Sequence, residues 1–213
     1  MSGHALPMNK LNIIHNVMIN NELHVRSYTY PFADRVNPPL SDIIRRYNNK
    51  DPVKGMKGDY GAQRTNPDLH ERNIKEIDNL IVWIKNLLPA LGHEISGGGV
   101  ALNHQSLYPK TGGAGGFDLY DYTIDSCWGI IYNKGMSVVK HNHFPYTFSF
   151  CYYVNTPPNS SPLIVEGKRM RMKEGQLIIF LSHYNHWVPR SKVDGRCVLV
   201  GNIKHGGTHK VSD

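Results

Sequence analysis

His141 and His143 stand two residues apart between two apolar-rich runs in residues 127–154. Side chains two apart on a strand point to one face, so this H-x-H pair can offer a metal ion two imidazole nitrogens at once. A surface or hydrogen-bonded pair of histidines has the same spacing, and only a third ligand separates the two readings. The run GQLIIFLSHYNHWV, residues 175–188, is a strand that turns and then presents His186, with His183 three residues earlier as a competitor. Ten residues after His186 comes Arg196, on the next apolar strand. Across a hairpin, that separation can bring a guanidinium to the pocket the histidine faces. Arg190 competes for that place, and Asp194 is an ordinary ion-pair partner that would remove Arg196 from it.

The elements that must position these groups are mostly strands. Apolar and aromatic runs recur over residues 127–132, 137–141, 147–154, 163–166, 168–172, 176–181 and 197–203. Turn residues punctuate them, as at Asn133-Lys134-Gly135, Glu174-Gly175 and Asp194-Gly195. Many short strands so punctuated predict a sandwich, jelly roll or barrel. Before them, Ile74, Ile77, Leu80, Ile81, Ile84, Leu87 and Leu88 recur at helical spacing, predicting a helix over about 69–88 that Pro89 and Gly92 stop. A shorter helix is expected to start at Ser41, after Pro38-Pro39, and to run through Tyr47. Residues 51–68 read as an irregular excursion and residues 1–35 as short strands and turns, with runs at 11–14, 17–19 and 24–30. The glycine clusters at 97–99 and 112–116 lack the strand, the fixed glycine pattern and the helix start of a phosphate cradle. They are expected to be loops, the second a candidate lid.

The chain has 213 residues, 40% of them hydrophobic, enough to bury a core and expected to form one domain with a tail from residue 205. No apolar run approaches bilayer length, and the N-terminus lacks a secretory pattern, so a cytoplasmic protein is expected. Cys127, Cys151 and Cys197 form no C-x-x-C pair and leave an odd one, which argues against a disulfide framework and against a zinc ribbon. A formal charge of +7 permits an anionic partner, nucleic acid included, but there is no dense cationic tract. The alternating Lys168–Lys173 segment reads as a solvated strand face.

Taken together, H-x-H, then G-x-L-I-I-F-x-S-x-x-x-H-x-V, then Arg ten positions past that histidine, resembles the prolyl-4-hydroxylase-like branch of the 2-oxoglutarate and Fe(II)-dependent oxygenases. Tyr132-x-x-Gly135 ahead of His141, Ser149 with Tyr152-Tyr153, and Arg196 with Asn202 agree in register with that branch. The resemblance covers about residues 120–203. It implies a mainly β double-stranded β-helix, a cupin-like jelly roll over 120–204 supported by N-terminal helices and loops in 1–119. It implies iron held by His141, His143 and His186, with 2-oxoglutarate as co-substrate gripped by Arg196, Tyr132 donating a hydrogen bond to it, and O2 as oxidant. The reaction implied is hydroxylation of a peptidyl or small-molecule substrate, with 2-oxoglutarate decarboxylated to succinate. Two departures stand out. His143 takes the place of the usual Asp or Glu, which removes one negative charge from the metal centre, and Val198 takes the place of a serine beside the co-substrate carboxylate.

Two other readings compete. A cupin-like three-histidine dioxygenase would not use 2-oxoglutarate, but the carboxylate such proteins place shortly after H-x-H is missing from residues 144–149. A basic, non-enzymatic β-sandwich carrying an incidental metal would bind polyanions with a steep salt dependence.

Overall fold

The computed structural model describes residues 23–50, 59–95 and 122–205. Eight strands form the body: β4 (Tyr122–Tyr132), β5 (Ser137–His141), β6 (Phe148–Asn155), β7 (Leu163–Val165), β8 (Lys168–Met170), β9 (Gln176–Leu181), β10 (His186–Val188) and β11 (Arg196–His205). They pair antiparallel from the outside inward: β4 with β11, β5 with β10, β6 with β9, and β7 with β8. That nesting is a hairpin ribbon rolled on itself, the jelly roll. Three short strands extend the edges: β1 (Val25–Thr29) beside β9, β2 (Asp59–Tyr60) beside β5, and β3 (Gln63–Arg64) beside β4. The result is a six-stranded sheet, β1-β9-β6-β11-β4-β3, facing a five-stranded one, β2-β5-β10-β7-β8. Tight reversals sit on glycines with positive φ, such as Gly135 (88°) and Gly195 (85°), a conformation that costs a side-chain-bearing residue more.

Two helices, α1 (Ala33–Lys50) and α2 (Lys75–Ile95), cover the outer face of the larger sheet, with a short 3-10 turn at Leu69–Glu71 ahead of α2. Leu40 and Ile44 of α1, and Ile77, Leu80, Ile84 and Leu88 of α2, are fully buried in one cluster with Phe150, Ile179 and Leu199 of the sheet. The contact is close because β4 carries Gly129, where a Cβ would lie 2.4 Å from a methyl carbon of Ile44.

Both helices correct the expectations placed on proline. The first starts at Ala33 and carries Pro38 and Pro39 inside; the second carries Pro89 inside instead of stopping there. Each proline deprives the carbonyl four residues earlier of its helical donor. Those carbonyls belong to Asp34, Arg35 and Lys85, all solvent-exposed residues that water can satisfy, while the apolar stripe packs on the sheet. The helix expected from about residue 69 is instead the 3-10 turn followed by a helix proper from Lys75. Residues 51–68, expected to be irregular, supply β2 and β3. The cationic segment around β8 has Met170 buried and Arg169 and Arg171 exposed. The glycine clusters, the proposed lid, the early strand runs at 11–19 and the tail beyond His205 lie outside the described residues.

Candidate metal centre

β5 and β10 are neighbours, and their register sets His186 directly opposite His141. His143 arrives by a different route from the one strand alternation suggests. β5 ends at His141; the chain then bends, and the His143 backbone N–H donates to the Ser182 carbonyl at 2.8 Å. Ser182 is itself fixed by a buried polar ladder. Its Oγ lies 2.8 Å from Ser149 Oγ, Ser149 donates to Asn202 Oδ1 at 3.1 Å, and Asn202 donates to Ser126 Oγ at 3.1 Å. Buried hydroxyls and amides joined in this way hold one geometry, so the third histidine is positioned from three strands and the turn after β9 at once.

The ring centroids of His141, His143 and His186 stand 4.4 to 5.0 Å apart, and their ligand nitrogens all lie within 4.8 Å of one another. His141 Nδ1 is 2.8 Å from the Val139 carbonyl, and His186 Nδ1 is 3.1 Å from the Tyr184 carbonyl. A carbonyl only accepts, so both Nδ1 atoms carry hydrogen in these bonds, which leaves Nε2 of each ring as the atom that can face a metal. Burial, then the neighbouring imidazoles and Arg64, push the His143 pKa down to about 3. Burial and His141 push that of His186 down to about 4. These two imidazoles are therefore neutral at physiological pH, the form that binds metal.

The same cavity is lined by Arg196 and Tyr132, which face each other in register at the start of β11 and the end of β4. Arg196 is 1% exposed. Its guanidinium carbon lies 4.6 Å from the Tyr132 ring centroid and 5.3 Å from that of Tyr153. Its Nε and Nη1 are buried without a hydrogen-bond partner. A buried cation left in this way costs several kcal/mol unless an anion completes it, so the donor set fits a carboxylate. The competitors fall elsewhere. His183 is exposed and outside the histidine cluster, Arg190 is exposed, and Asp194 accepts the Lys134 backbone N–H at 2.8 Å. Val198 is buried and lines the cavity, an apolar wall where the resemblance expects a hydroxyl.

Two lining residues escaped the sequence reading, Arg64 of β3 and Trp128 of β4. The Arg64 guanidinium carbon sits 5.0 Å from the Trp128 ring centroid, and the indole stands edge-on to His143 at 5.9 Å. A two-residue strand whose partner lies more than sixty positions away leaves no periodic pattern to find. The nearest signal is the aromatic Trp128 at an inward position of β4.

A jelly roll with three convergent imidazoles and a buried guanidinium is the class of structure that these residues define. No protein-family model matches the chain, and no curated protein matches it. Among solved structures it is similar to a prolyl-4-hydroxylase from Pseudomonas putida, 16% identical, over 86% of this chain and 94% of that one, with a TM-score of 0.59. It is equally similar to the viral collagen prolyl hydroxylase of Paramecium bursaria Chlorella virus-1, solved as a 2-oxoglutarate complex. That protein is 11% identical, the match covers 87% of this chain and 98% of the other, and the TM-score is 0.59. At such identities the likeness is one of fold.

Proposed function

We propose that the chain is an Fe(II)- and 2-oxoglutarate-dependent dioxygenase that hydroxylates a peptidyl or small-molecule substrate. The observation that carries this reading is the convergence, in one cavity, of three imidazoles and a buried guanidinium with two unpartnered nitrogens. The oxygenase fold and the motifs of residues 120–203 support it, and the 2-oxoglutarate complex of the viral prolyl hydroxylase gives the co-substrate a precedent.

In this reading His141, His143 and His186 hold the metal through Nε2, with the Val139 and Tyr184 carbonyls orienting the rings of His141 and His186. Arg196 grips the far carboxylate of 2-oxoglutarate as a two-pronged donor, and Tyr132 beneath it holds the guanidinium flat and donates its hydroxyl. When bound, iron with 2-oxoglutarate and O2 supplies the oxidising power for hydroxylation, with succinate and CO2 released. The apolar walls, Val198 among them, keep bulk water from the bound groups.

The three-histidine set also suits a cupin-type dioxygenase without 2-oxoglutarate. The unpartnered Arg196 weighs against it, because that chemistry leaves the guanidinium without an anion. The test is calorimetric titration of 2-oxoglutarate into anaerobic Fe(II)-loaded protein, followed by a succinate assay in air. Saturable one-to-one binding and succinate release are expected. Metal-loaded protein that takes up no 2-oxoglutarate would rule the reading out in favour of the cupin-type alternative.

A further inference from the structure

Trp128 is buried on the inner face of β4, 6% exposed, and its indole Nε1–H has no hydrogen-bond partner. It lines the cavity that holds the three histidines. A buried N–H without an acceptor is costly to keep, so the position calls for an oxygen that arrives with a ligand. None of its neighbours supplies one. The Arg64 guanidinium carbon lies over the indole, 5.0 Å from the ring centroid, and His143 meets the ring at 66° and 5.9 Å. An indole N–H donates in the ring plane, so a cation over the face leaves it free, and the π-face of a neighbouring ring satisfies it only weakly. Among the described residues no carboxylate or carboxamide lines this cavity, and the Ser149 hydroxyl is engaged with Ser182 and Asn202.

The place of Trp128 along the strand decides which ligand can reach it. Tyr132 and Trp128 both point into the roll, four residues apart on β4, which is about 13 Å at roughly 3.3 Å per residue. Tyr132 lies against Arg196, the proposed anchor of the co-substrate. The two carboxyl carbons of 2-oxoglutarate stand at most roughly 5–6 Å apart. A co-substrate anchored on Arg196 therefore ends at the histidines and leaves the Trp128 end of the cavity to another molecule.

Resting on the oxygenase reading, we propose that Trp128 is the hydrogen-bond donor that orients the primary substrate, and that it takes an uncharged carbonyl oxygen on an otherwise apolar molecule or segment. A neutral acceptor completes a neutral N–H without carrying a charge into an apolar wall. The walls around it, Ile130, Leu163, Phe180 and Val200, are hydrocarbon. They suit the body of such a substrate and offer no acceptor to an amine. With its carbonyl on Trp128, beside His143, the substrate presents the neighbouring C–H bonds to the metal. Specificity then rests on one inward residue of β4, set in register opposite Val200 of β11.

The experiment uses the full chain loaded with redox-inert Zn(II) and saturated with 2-oxoglutarate. The probes are pairs matched in shape, acetophenone with ethylbenzene and cyclohexyl methyl ketone with ethylcyclohexane. Each is titrated by NMR on the indole N–H signals of the three tryptophans, that of Trp128 being the one missing from Trp128→Phe. In at least one pair the ketone is expected to bind about fivefold or more tightly than its hydrocarbon and to move the Trp128 signal downfield. In Trp128→Phe the preference should fall to within about twofold, while Zn(II) and 2-oxoglutarate affinities hold. Lost packing alone weakens both members of a pair alike, so the preference separates a substrate donor from a wall. The proposal is overturned if ketone and hydrocarbon bind alike, if no probe binds, or if the preference survives Trp128→Phe. It is also overturned if 2-oxoglutarate alone moves the Trp128 signal downfield, which would make the indole a co-substrate contact. Should Trp128→Phe fail to fold, the wild-type signals decide, because a bound ketone that leaves every indole signal in place refutes the contact. Protein that binds no 2-oxoglutarate refutes the co-substrate reading separately, and the ketone preference is then read on the Zn(II) form alone.

Discussion

The two faces of the six-stranded sheet come from the same strands and obey different rules. On β4, Cys127 and Ile131 point to the helices, while Trp128, Ile130 and Tyr132 point into the roll. On β6, Phe148, Phe150, Tyr152 and Val154 go outward, and Cys151 and Tyr153 inward. The helix side is closed by leucine and isoleucine, and its deepest tyrosine hydroxyl, that of Tyr152, donates to Asn37 Oδ1 at 2.6 Å. The inner side holds the unpartnered Trp128 Nε1, Tyr153 hydroxyl and two Arg196 nitrogens. Asn37 and His70 each leave one nitrogen unpaired as well, and Thr156 its hydroxyl, yet among the described residues Arg196 is the one guanidinium with buried unpartnered atoms. A folded chain tolerates such atoms where something else is to bind, so under the proposed function the inner face is the one preorganised for a ligand and the outer face serves mainly stability.

Substitutions on the two faces should therefore move different observables. Leu199→Ala, fully buried against the helices, is expected to lower unfolding free energy by about 2–5 kcal/mol and to leave 2-oxoglutarate affinity of the folded fraction within about twofold. Arg196→Met should do the reverse. It removes an uncompensated buried charge, so ligand-free Tm holds or rises, while 2-oxoglutarate affinity falls by roughly 100-fold, the loss of one partner of a buried charge pair. Urea unfolding and calorimetry on the same preparations decide it. A large drop in ligand-free stability for Arg196→Met would mean that the guanidinium is structural and the comparison false.

The candidate metal ligands sharpen the contrast through pH. Because the folded site holds His143 and His186 well below the ordinary histidine pKa, the unfolded chain binds more protons than the metal-free folded one below about pH 6.5. Stability in chelator should therefore fall as pH drops from about 6.5 toward 4. Thermal unfolding across that range checks the sign, and His186→Gln should flatten the slope. His143→Ala should weaken metal binding by more than the roughly 10–100-fold typical of outer-shell changes. His143→Asp should keep the metal, read by competition with a chromophoric chelator.

Much of this division was legible in the sequence, for a local reason. Period-two alternation is written residue by residue, so the body strands other than the three-residue β10 could be placed from their apolar runs, and H-x-H, His186 and Arg196 stood out at or near their ends. Non-local arrangements were illegible. Arg64 reaches the cavity through β3, too short to show a period, and His143 reaches it through a bend pinned on Ser182, not through the strand alternation that drew notice to it. Pro38, Pro39 and Pro89 misled for a related reason. A proline stops a helix when its missing bond is costly, and here tertiary packing of the apolar stripe outweighs a bond lost on the wet side.

The smallest effect discriminates most finely, because it compares adjacent residues of one type. Tyr152→Phe deletes a 2.6 Å hydrogen bond and leaves Asn37 Oδ1 without its donor, a loss of about 1–2 kcal/mol in unfolding free energy. Tyr153→Phe deletes a hydroxyl that lies beside Arg196 and Cys151 but makes no well-aligned hydrogen bond, so the ring and its contact with Arg196 persist and stability should stay within about 0.5 kcal/mol of wild type. Both variants keep the aromatic volume, so packing does not enter and the difference isolates the hydroxyl. Equal losses from the two, measured by urea unfolding of metal-free protein, would show that the Tyr153 hydroxyl is as fully satisfied as that of Tyr152. The unpartnered donors would then no longer point to a ligand.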